Sequence, residues 1–236
     1  MSKTLICTNT LSLINQAAYS NHIQFYFRLG RNCLEDQFAL FTPNRMTIDA
    51  CRNAAVRTAL EHEFDYVMFV DDDVLLPFNA YSLLKADDKD IIAGWTVIRG
   101  YPFPNMFFKK TDDGNICHYN DVPIEQKELI EVEAVGCSCV LIKCSVFLKV
   151  PPPYFVTGTY NTEDVYFCLK AKQHIPGLKI FVDPQVKTPH LLQVNAVTPE
   201  NRQALKKYYE DENPNLTVVQ NGDRGMEYLK SIGETV

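Results

Sequence analysis

One short stretch, FDYVMFVDDDVLLP at residues 64–77, restricts the fold of this chain more than any other. An apolar run leads directly into three adjacent carboxylates, Asp71, Asp72 and Asp73, and the stretch ends at Pro77. Such a run is typical of a strand that is covered on both faces of a sheet. Adjacent carboxylates repel one another unless a cation joins them. The stretch therefore predicts a buried strand that ends at a cation-binding edge, and a solvated turn is the alternative.

Strand-like and helix-like segments alternate through the first hundred residues. Apolar residues recur at helical spacing in residues 46–63, and residues 77–86 predict a second helix with Pro77 in its first turn. A short helix is also expected within residues 11–20. Strands are predicted at residues 4–8, 22–27, 66–70 and 90–98. This βαβαβ pattern predicts an α/β fold with an open, mostly parallel sheet flanked by helices, whose ligands bind at the carboxyl ends of the strands.

The second half of the chain is less regular and predicts a small antiparallel element. A hairpin is expected to turn at Asp113-Gly114, and two strands that break at Gly136 lead into a short helix. A helix capped by Thr162 and a strand at residues 179–186 follow. We expect one domain over residues 1–236, because no linker or internal repeat divides the sequence.

The composition excludes several classes of protein. The 236 residues carry a formal net charge of −6, which argues against broad binding to nucleic acid. The sequence has no apolar stretch near the roughly 20 residues that span a bilayer and no secretory signal, so we expect a cytoplasmic protein without membrane insertion. Five cysteines lie in apolar or helical patterns and are predicted to be reduced core thiols: Cys7, Cys51, Cys139, Cys144 and Cys168.

Four kinds of enzyme place acidic residues after an apolar strand. A P-loop NTPase needs GxxxxGK[ST], which this sequence lacks. A phosphatase with an aspartate nucleophile has its DxD near the N-terminus, and a two-metal nuclease or polymerase needs further carboxylates and a basic face. The fourth kind, a nucleotide-sugar transferase, uses DxD to hold a metal ion on a diphosphate.

Residues 48–77, IDACRNAAVRTALEHEFDYVMFVDDDVLLP, resemble the front half of a family 2-like glycosyltransferase of the GT-A fold. Later segments agree with that family in their order along the chain: GWTVIRGYP, VEAVGCSCVLIKCSVF, TEDVYFCLKAK and KIFVDPQVKTPH. The resemblance covers residues 1–192. It implies a nucleotide-sugar-binding half at residues 1–100, an acceptor-binding and catalytic half at 101–198, and a helical tail at 199–236.

The resemblance further implies a metal-dependent transfer from a nucleoside-diphosphate sugar. Asp71, Asp73 and His190 would hold Mn²⁺ or Mg²⁺ on the diphosphate. Asp71 would also contact the ribose or the base, and Asp72 would orient the donor sugar. Asp164, with Glu163 as the second choice, would be the general base of an inverting reaction. A retaining mechanism stays open at this point.

Several further residues are candidates for binding the donor. Thr8 and Asn9 would line the base and ribose, and Arg52 would lie near the base or the diphosphate, with Arg45 as a second choice. Trp95 offers an indole on which a sugar ring stacks, with core packing as the alternative. Gly136 would allow the backbone to approach the donor or acceptor closely.

The donor is expected to be a UDP-sugar rather than a GDP-sugar, and the enzyme a hexosyl- or pentosyltransferase. The acceptor is expected to be a glycan. The chain also resembles phage-encoded transferases, some of which modify hydroxymethylated pyrimidines in DNA, and a basic rim for DNA would use Lys109, Lys110, Arg202, Lys206 and Lys207. A nucleotidyltransferase and a non-catalytic sugar-nucleotide- or glycan-binding module are the alternatives. The oligomeric state is left open.

Overall fold

The structure, a computed structural model, describes residues 1–10, 14–43, 45–158, 162–192 and 196–212. Its helices are α1 (Gln16–Asn32), α2 (Ile48–Glu61), α3 (Ala80–Ala86), α4 (Cys144–Phe147), α5 (Glu163–His174) and α6 (Arg202–Glu212). Its strands are β1 (Lys3–Asn9), β2 (Gln37–Phe41), β3 (Tyr66–Asp71), β4 (Ile91–Thr96), β5 (Phe107–Lys110), β6 (Ile116–His118), β7 (Ile130–Val132), β8 (Ala134–Val135), β9 (Cys139–Lys143), β10 (Ile180–Thr188), β11 (His190–Leu191) and β12 (Ala196–Val197).

A seven-stranded sheet in the order β2-β1-β3-β9-β4-β10-β7 forms the centre of the fold. Five of its strands run parallel, and β9 and β7 run antiparallel to their neighbours. A separate antiparallel sheet contains β6, β5 and β8. The predicted α/β fold, with a mostly parallel central sheet and a small antiparallel element, is confirmed.

Alternating side chains along β3 bury the sheet on both faces. Val67 and Phe69 belong to a core that includes residues of α2 and α5, whereas Met68 and Val70 belong to a second core with residues of α1 and α3. The apolar run in the sequence is therefore explained, because a half-exposed strand would need polar residues at every second position. The five cysteines predicted to be core residues are all buried.

One prediction about the first part of the chain is wrong, and one strand there was not predicted. Residues 22–27 lie inside α1, where Ala18, His22, Phe25 and Leu29 are buried at helical spacing. The second strand of the sheet is instead β2, which the sequence did not reveal because it is short and half exposed at the sheet edge.

The other boundaries of the predicted elements shift only slightly. The helix expected from Pro77 begins at Ala80. The hairpin between β5 and β6 turns as predicted, with Gly114 at φ +87°. The predicted helical tail is present as α6, whereas residues 11–13 of the first predicted helix and 213–236 of the tail lie outside the described residues. The division of the chain at residues 100 and 198 stays a prediction. Within the described ranges, no helix has the length and apolar character needed to cross a membrane.

Replacement of Gly94 by alanine is expected to destabilise the fold by about 1–3 kcal/mol. A methyl group on Gly94 of β4 would lie 2.7 Å from the carbonyl oxygen of Val186 and 2.9 Å from its Cγ1, and the backbone atom cannot move aside. Urea unfolding at pH 7 measures the change. The matched control is Gly30→Ala in α1, where the new methyl group meets nothing within 4 Å and alanine favours the helix. An unchanged free energy of unfolding for Gly94→Ala would contradict the close approach of β4 and β10.

Candidate functional site

The carboxyl ends of the parallel strands gather the predicted site residues at one edge of the sheet. Asn9 at the end of β1 pairs in register with Asp71 at the end of β3. Arg99 follows β4, and His190 follows β10. The two strand ends are neighbours because β4 and β10 pair in parallel. Residues far apart in the chain therefore meet at the edge at which open α/β sheets bind ligands.

Arg52 of α2 is a buried cation that joins two predicted functional segments. Its side chain is 2 % exposed, its Nη2 donates to Oδ1 of Asp71 at 3.0 Å, and its Nη1 donates to Oε1 of Glu163 at the start of α5. The guanidinium thus links the end of β3 to the first turn of α5. Arg52 was predicted to lie near the base or the diphosphate, but both of its charged partners are protein carboxylates.

Burial raises the pKa of both carboxyl groups that Arg52 binds. Burial is the main cause for Asp71 and for Glu163, and the charge of Arg52 opposes it in each case. Neighbouring carboxylates add to the rise: Asp73 and Asp164 for Asp71, and Asp164 and Asp71 for Glu163. The end of β3 and the start of α5 therefore bring several carboxylates together in a partly dehydrated site. Such a site favours the binding of a cation.

Asp73 and His190 form the pair that best suits a metal ion. Nδ1 of His190 donates to the carbonyl oxygen of Val97 at 3.0 Å, so Nδ1 carries a hydrogen. In a neutral imidazole the lone pair then lies on Nε2, which is 3.2 Å from Oδ1 of Asp73. A lone pair and a carboxylate at that distance need a proton or a metal ion between them. A histidine whose second nitrogen donates to a carbonyl is the usual arrangement of a metal ligand.

The distance between Asp73 and His190 matches the spacing of two ligands on one divalent cation. Neighbouring ligands of an octahedral Mg²⁺ lie about 2.1 Å from the ion and so about 3 Å from each other, which fits the Asp73–His190 separation. No group of three or more His, Cys, Asp or Glu side chains in the described part of the chain is arranged around a common point. Mg²⁺ commonly takes one or two carboxylates and completes its shell with phosphates and water. Asp71, the third predicted ligand, is instead held by Arg52.

Asp72 lies between Asp71 and Asp73 in the turn that follows β3. Burial raises its pKa, and its charge acts on His22 of α1. Nε2 of His22 donates to the carbonyl oxygen of Val74 at 2.9 Å, while its buried Nδ1 has no hydrogen-bond partner among the described residues. The sequence interpretation missed His22 because it placed residues 22–27 in a strand.

Asp164 is held so that one of its oxygens faces Gly136. Its Oδ1 accepts hydrogen bonds from the Thr162 hydroxyl and from the backbone N–H of Val165 at 2.7 Å. A methyl group built on Gly136 would lie 3.4 Å from Oδ2 of Asp164 and 2.6 Å from Cε of Met106. Any residue larger than glycine would therefore collide with Met106 and crowd this carboxylate.

Of the remaining donor-binding candidates, Asn9 and Thr8 lie at the end of β1, at the edge of the sheet that carries Asp71. Asn9 lies beside Asp71, and its buried Oδ1 has no hydrogen-bond partner among the described residues, as expected of an atom that awaits a ligand. The hydroxyl of Thr8 lies 2.8 Å from the Tyr26 hydroxyl.

Trp95 belongs to the hydrophobic core, because its indole is 1 % exposed, packs on a phenylalanine ring and donates to an asparagine. That burial contradicts its predicted contact with a sugar. Arg45 is exposed before α2.

Arg99 is the residue at this edge whose role the sequence did not reveal. Its Nη1 lies 2.7 Å from Oδ2 of Asp73, so His190 and Arg99 bind opposite oxygens of one carboxylate. The only signal in the sequence was its position at the end of the strand predicted at residues 90–98. The sequence did not predict this contact because Arg99 and Asp73 lie on different elements of the chain.

Replacement of Arg52 by alanine is expected to lower the free energy of unfolding by about 3–5 kcal/mol at pH 7, because the buried Glu163 and the partly buried Asp71 lose their cation. The loss should shrink at pH 5. A carboxyl group with a raised pKa binds more protons in the folded state than in the unfolded state, so stability falls as pH rises through that window. Removal of Arg52 raises both pKa values further and widens the window.

The measurement is urea unfolding of the Arg52→Ala variant between pH 5 and pH 8. Arg57→Ala, on the exposed face of the same helix, is the control and should change stability by less than about 0.5 kcal/mol at any of these pH values. A penalty for Arg52→Ala that stays constant with pH would show that Arg52 does not hold the two carboxylates.

Comparisons with known proteins bear on the fold. No protein-family model and no curated protein sequence matches the chain. Among solved structures, A197 from STIV is 19 % identical with a TM-score of 0.61, over 84 % of this chain and 91 % of A197.

Two further solved structures have TM-scores below 0.5, and no argument rests on them. A glycosyltransferase involved in glycosylation of the major capsid of PBCV-1 is 13 % identical over 77 % of this chain and 82 % of its own, with a TM-score of 0.43. UDP-glucose pyrophosphorylase complexed with UDP-glucose is 8 % identical over 90 % and 99 %, with a TM-score of 0.45. At these identities the likeness concerns the fold, and the chain has the GT-A-like α/β fold that its sequence resemblance predicted.

Proposed function

We propose that this protein is a metal-dependent glycosyltransferase that moves a sugar from a nucleoside-diphosphate donor to an acceptor hydroxyl. One observation carries the proposal. Asp73 faces the lone pair of His190 at 3.2 Å, and Asp164 approaches the same edge of the sheet on a helix that Arg52 ties to Asp71. A cation-binding pair and a candidate base thus lie beside one another, as transfer from a diphosphate requires.

The residues at the ends of β1 and β3 would bind the donor. The free Oδ1 of Asn9 is placed to accept a hydrogen bond from a base or a ribose, with Thr8 beside it. Asp73 and His190 would hold a Mg²⁺ or Mn²⁺ ion, which neutralises the charge that grows on the leaving diphosphate. Asp72, next to Asp73 in the turn after β3, would orient the donor sugar. A UDP-sugar is the proposed donor.

Asp164 is a better candidate for the general base than Glu163. An oxygen of Glu163 is bound by Arg52, whereas the described partners of Asp164 bind its Oδ1, and its Oδ2 lies beside Gly136. The acceptor hydroxyl would give its proton to Oδ2 while its oxygen attacks the anomeric carbon from the side opposite the diphosphate. The bond to the diphosphate breaks as the new bond forms, so the configuration at the anomeric carbon inverts.

A glycan is the proposed acceptor. Two of the five cations of the basic rim considered for DNA are paired with carboxylates, and a third donates to neutral groups of the protein. Lys109 pairs with Asp121 at 3.2 Å, Lys206 pairs with Glu210 at 3.9 Å, and Arg202 donates to Asn105 and to the carbonyl oxygen of Asn120. Paired cations release fewer counterions on binding phosphates, so this face is a weak match to DNA.

The proposed reaction predicts that one nucleotide sugar releases its nucleotide slowly in the presence of Mn²⁺ and not in EDTA. The assay incubates the protein with UDP-, GDP- and CMP-sugars and measures the free nucleotide. Thermal stabilisation by a donor without any release would favour a binding module instead. Pyrophosphate formation from a nucleoside triphosphate and a sugar phosphate would favour a nucleotidyltransferase. Neither release nor stabilisation with any donor would overturn the proposed function.

Replacement of Asp164 by asparagine is expected to slow sugar transfer by about 100- to 10,000-fold, since the amide cannot accept the proton. Binding of Mn²⁺ and donor should persist, because the amide oxygen still accepts the N–H of Val165. Transfer rates and donor titrations separate the two effects. Asp90→Asn, an exposed carboxylate before β4 at the opposite edge, is the control and should behave as wild type. Full activity of Asp164→Asn would remove Asp164 from the role of base.

A further inference from the structure

Arg99 binds the aspartate that the proposed metal ion requires. Its Nη1 lies 2.7 Å from Oδ2 of Asp73, whose Oδ1 faces His190. We propose that Arg99 is a diphosphate-binding residue: it neutralises Asp73 before the metal ion binds, and it moves to the donor's diphosphate when the metal ion takes Asp73. This proposal rests on the proposed function and adds a residue to it.

The charges at the edge of the sheet favour such an exchange. The carboxylates of Asp71, Asp72, Asp73, Glu163 and Asp164 act on one another, whereas the cations described beside them are Arg52 and Arg99. A divalent cation at Asp73 would repel a guanidinium that binds the same carboxylate. Arg52 is buried between two carboxylates and cannot leave them. Arg99 is 57 % exposed, so it is free to turn towards an arriving anion.

The distance that Arg99 would have to move is short. A phosphate oxygen that binds the same metal ion as Asp73 lies about 3 Å from the carboxylate oxygen, since both are ligands of one ion. The guanidinium already lies 2.7 Å from that carboxylate. A rotation of the side chain therefore brings it within hydrogen-bond range of the diphosphate. A guanidinium also suits the task, because its planar donors bind two phosphate oxygens at once.

The backbone that carries Arg99 is held in place while the side chain turns. Residues 97–105 form a tight loop in which Val97 pairs with Asn105 and the N–H of Ile98 donates to the carbonyl oxygen of Pro104 at 2.8 Å. The carbonyl of Val97 also accepts the hydrogen bond from His190. The loop therefore fixes the start of the Arg99 side chain relative to the proposed metal ligand.

Helix α6 secures the same loop from outside. The Tyr101 hydroxyl donates to Glu210 at 2.9 Å, and the ring of Tyr209 packs edge-on against Phe103 with 5.4 Å between centroids. Arg202, at the start of α6, donates to Oδ1 of Asn105 at 2.6 Å. Contacts at both ends of the helix thus span the loop, and the position of Arg99 depends on its docking.

The test compares the Arg99→Ala variant with wild type in direct binding experiments that need no turnover. Mn²⁺ alone, and UDP and GDP with saturating Mn²⁺ or with EDTA, are titrated by calorimetry. With Mn²⁺, the variant should bind the preferred diphosphate about 10- to 100-fold more weakly, the loss expected for a charge-assisted hydrogen bond. In EDTA the loss should be below about threefold, because Arg99 then stays on Asp73. Mn²⁺ alone should bind the variant about two- to fivefold more tightly, since a competing cation is gone.

Two further variants show whether the change in affinity is specific to the guanidinium of Arg99. Arg31→Ala removes an exposed arginine from the last turn of α1, at the opposite edge of the sheet, and should change none of these affinities. Arg99→Lys keeps the charge but loses the planar fork and should restore part of the diphosphate affinity. Equal losses for Arg99→Ala with Mn²⁺ and with EDTA, or no loss in either, would overturn the exchange. Failure of the wild type itself to bind Mn²⁺ or any nucleoside diphosphate would instead overturn the proposed function.

Discussion

The ion pairs of one buried guanidinium hold the candidate site together. Arg52 extends from α2 to Asp71 at the end of β3 and to Glu163 at the start of α5, so it joins segments that lie 111 residues apart in the chain. A buried charge is tolerated only when its partners are close and well oriented. The pairing therefore positions α5 against the sheet, and with it Asp164 near Asp71.

The three consecutive aspartates have three different surroundings, which explains how like charges are tolerated side by side. Asp71 is held by Arg52, and Asp73 is shared by His190 and Arg99. Burial alone would raise the pKa of Asp73, but its contact with His190 and the charge of Arg99 lower it below its ordinary value. Asp72, in the turn after β3, has a raised pKa, and burial is the largest cause of the rise. Asp71 is thus held by a buried cation, Asp73 has partners that a metal ion would replace in the proposed exchange, and the charge of Asp72 acts on His22.

The patterns that could be read from the sequence are those that depend on local spacing. The apolar run of β3 and the helical period of α2 were predicted because burial on two faces and on one face produce different periods. The strand predicted at residues 22–27 was wrong, since a six-residue run that contains Phe25, Tyr26 and Phe27 favours a strand locally but belongs to a 17-residue helix. The role of Trp95 was left open for a related reason. An indole at the end of a strand can pack in the core or stack on a sugar, and only its neighbours in the structure distinguish the two.

The sequence by itself determined the α/β class, the edge at which Asp71, Asp72 and Asp73 lie, and the proximity of His190 that the family resemblance implied. Only the tertiary structure decided that Arg52 is a buried bridge, that Trp95 belongs to the core and that Arg99 binds Asp73. The physical reason is that the hydrophobic periodicity of a segment depends only on which of its faces is buried. An ion pair depends on which elements are neighbours in the folded protein. Contacts between distant segments depend on the order of strands in the sheet, and that order leaves no local pattern in the chain.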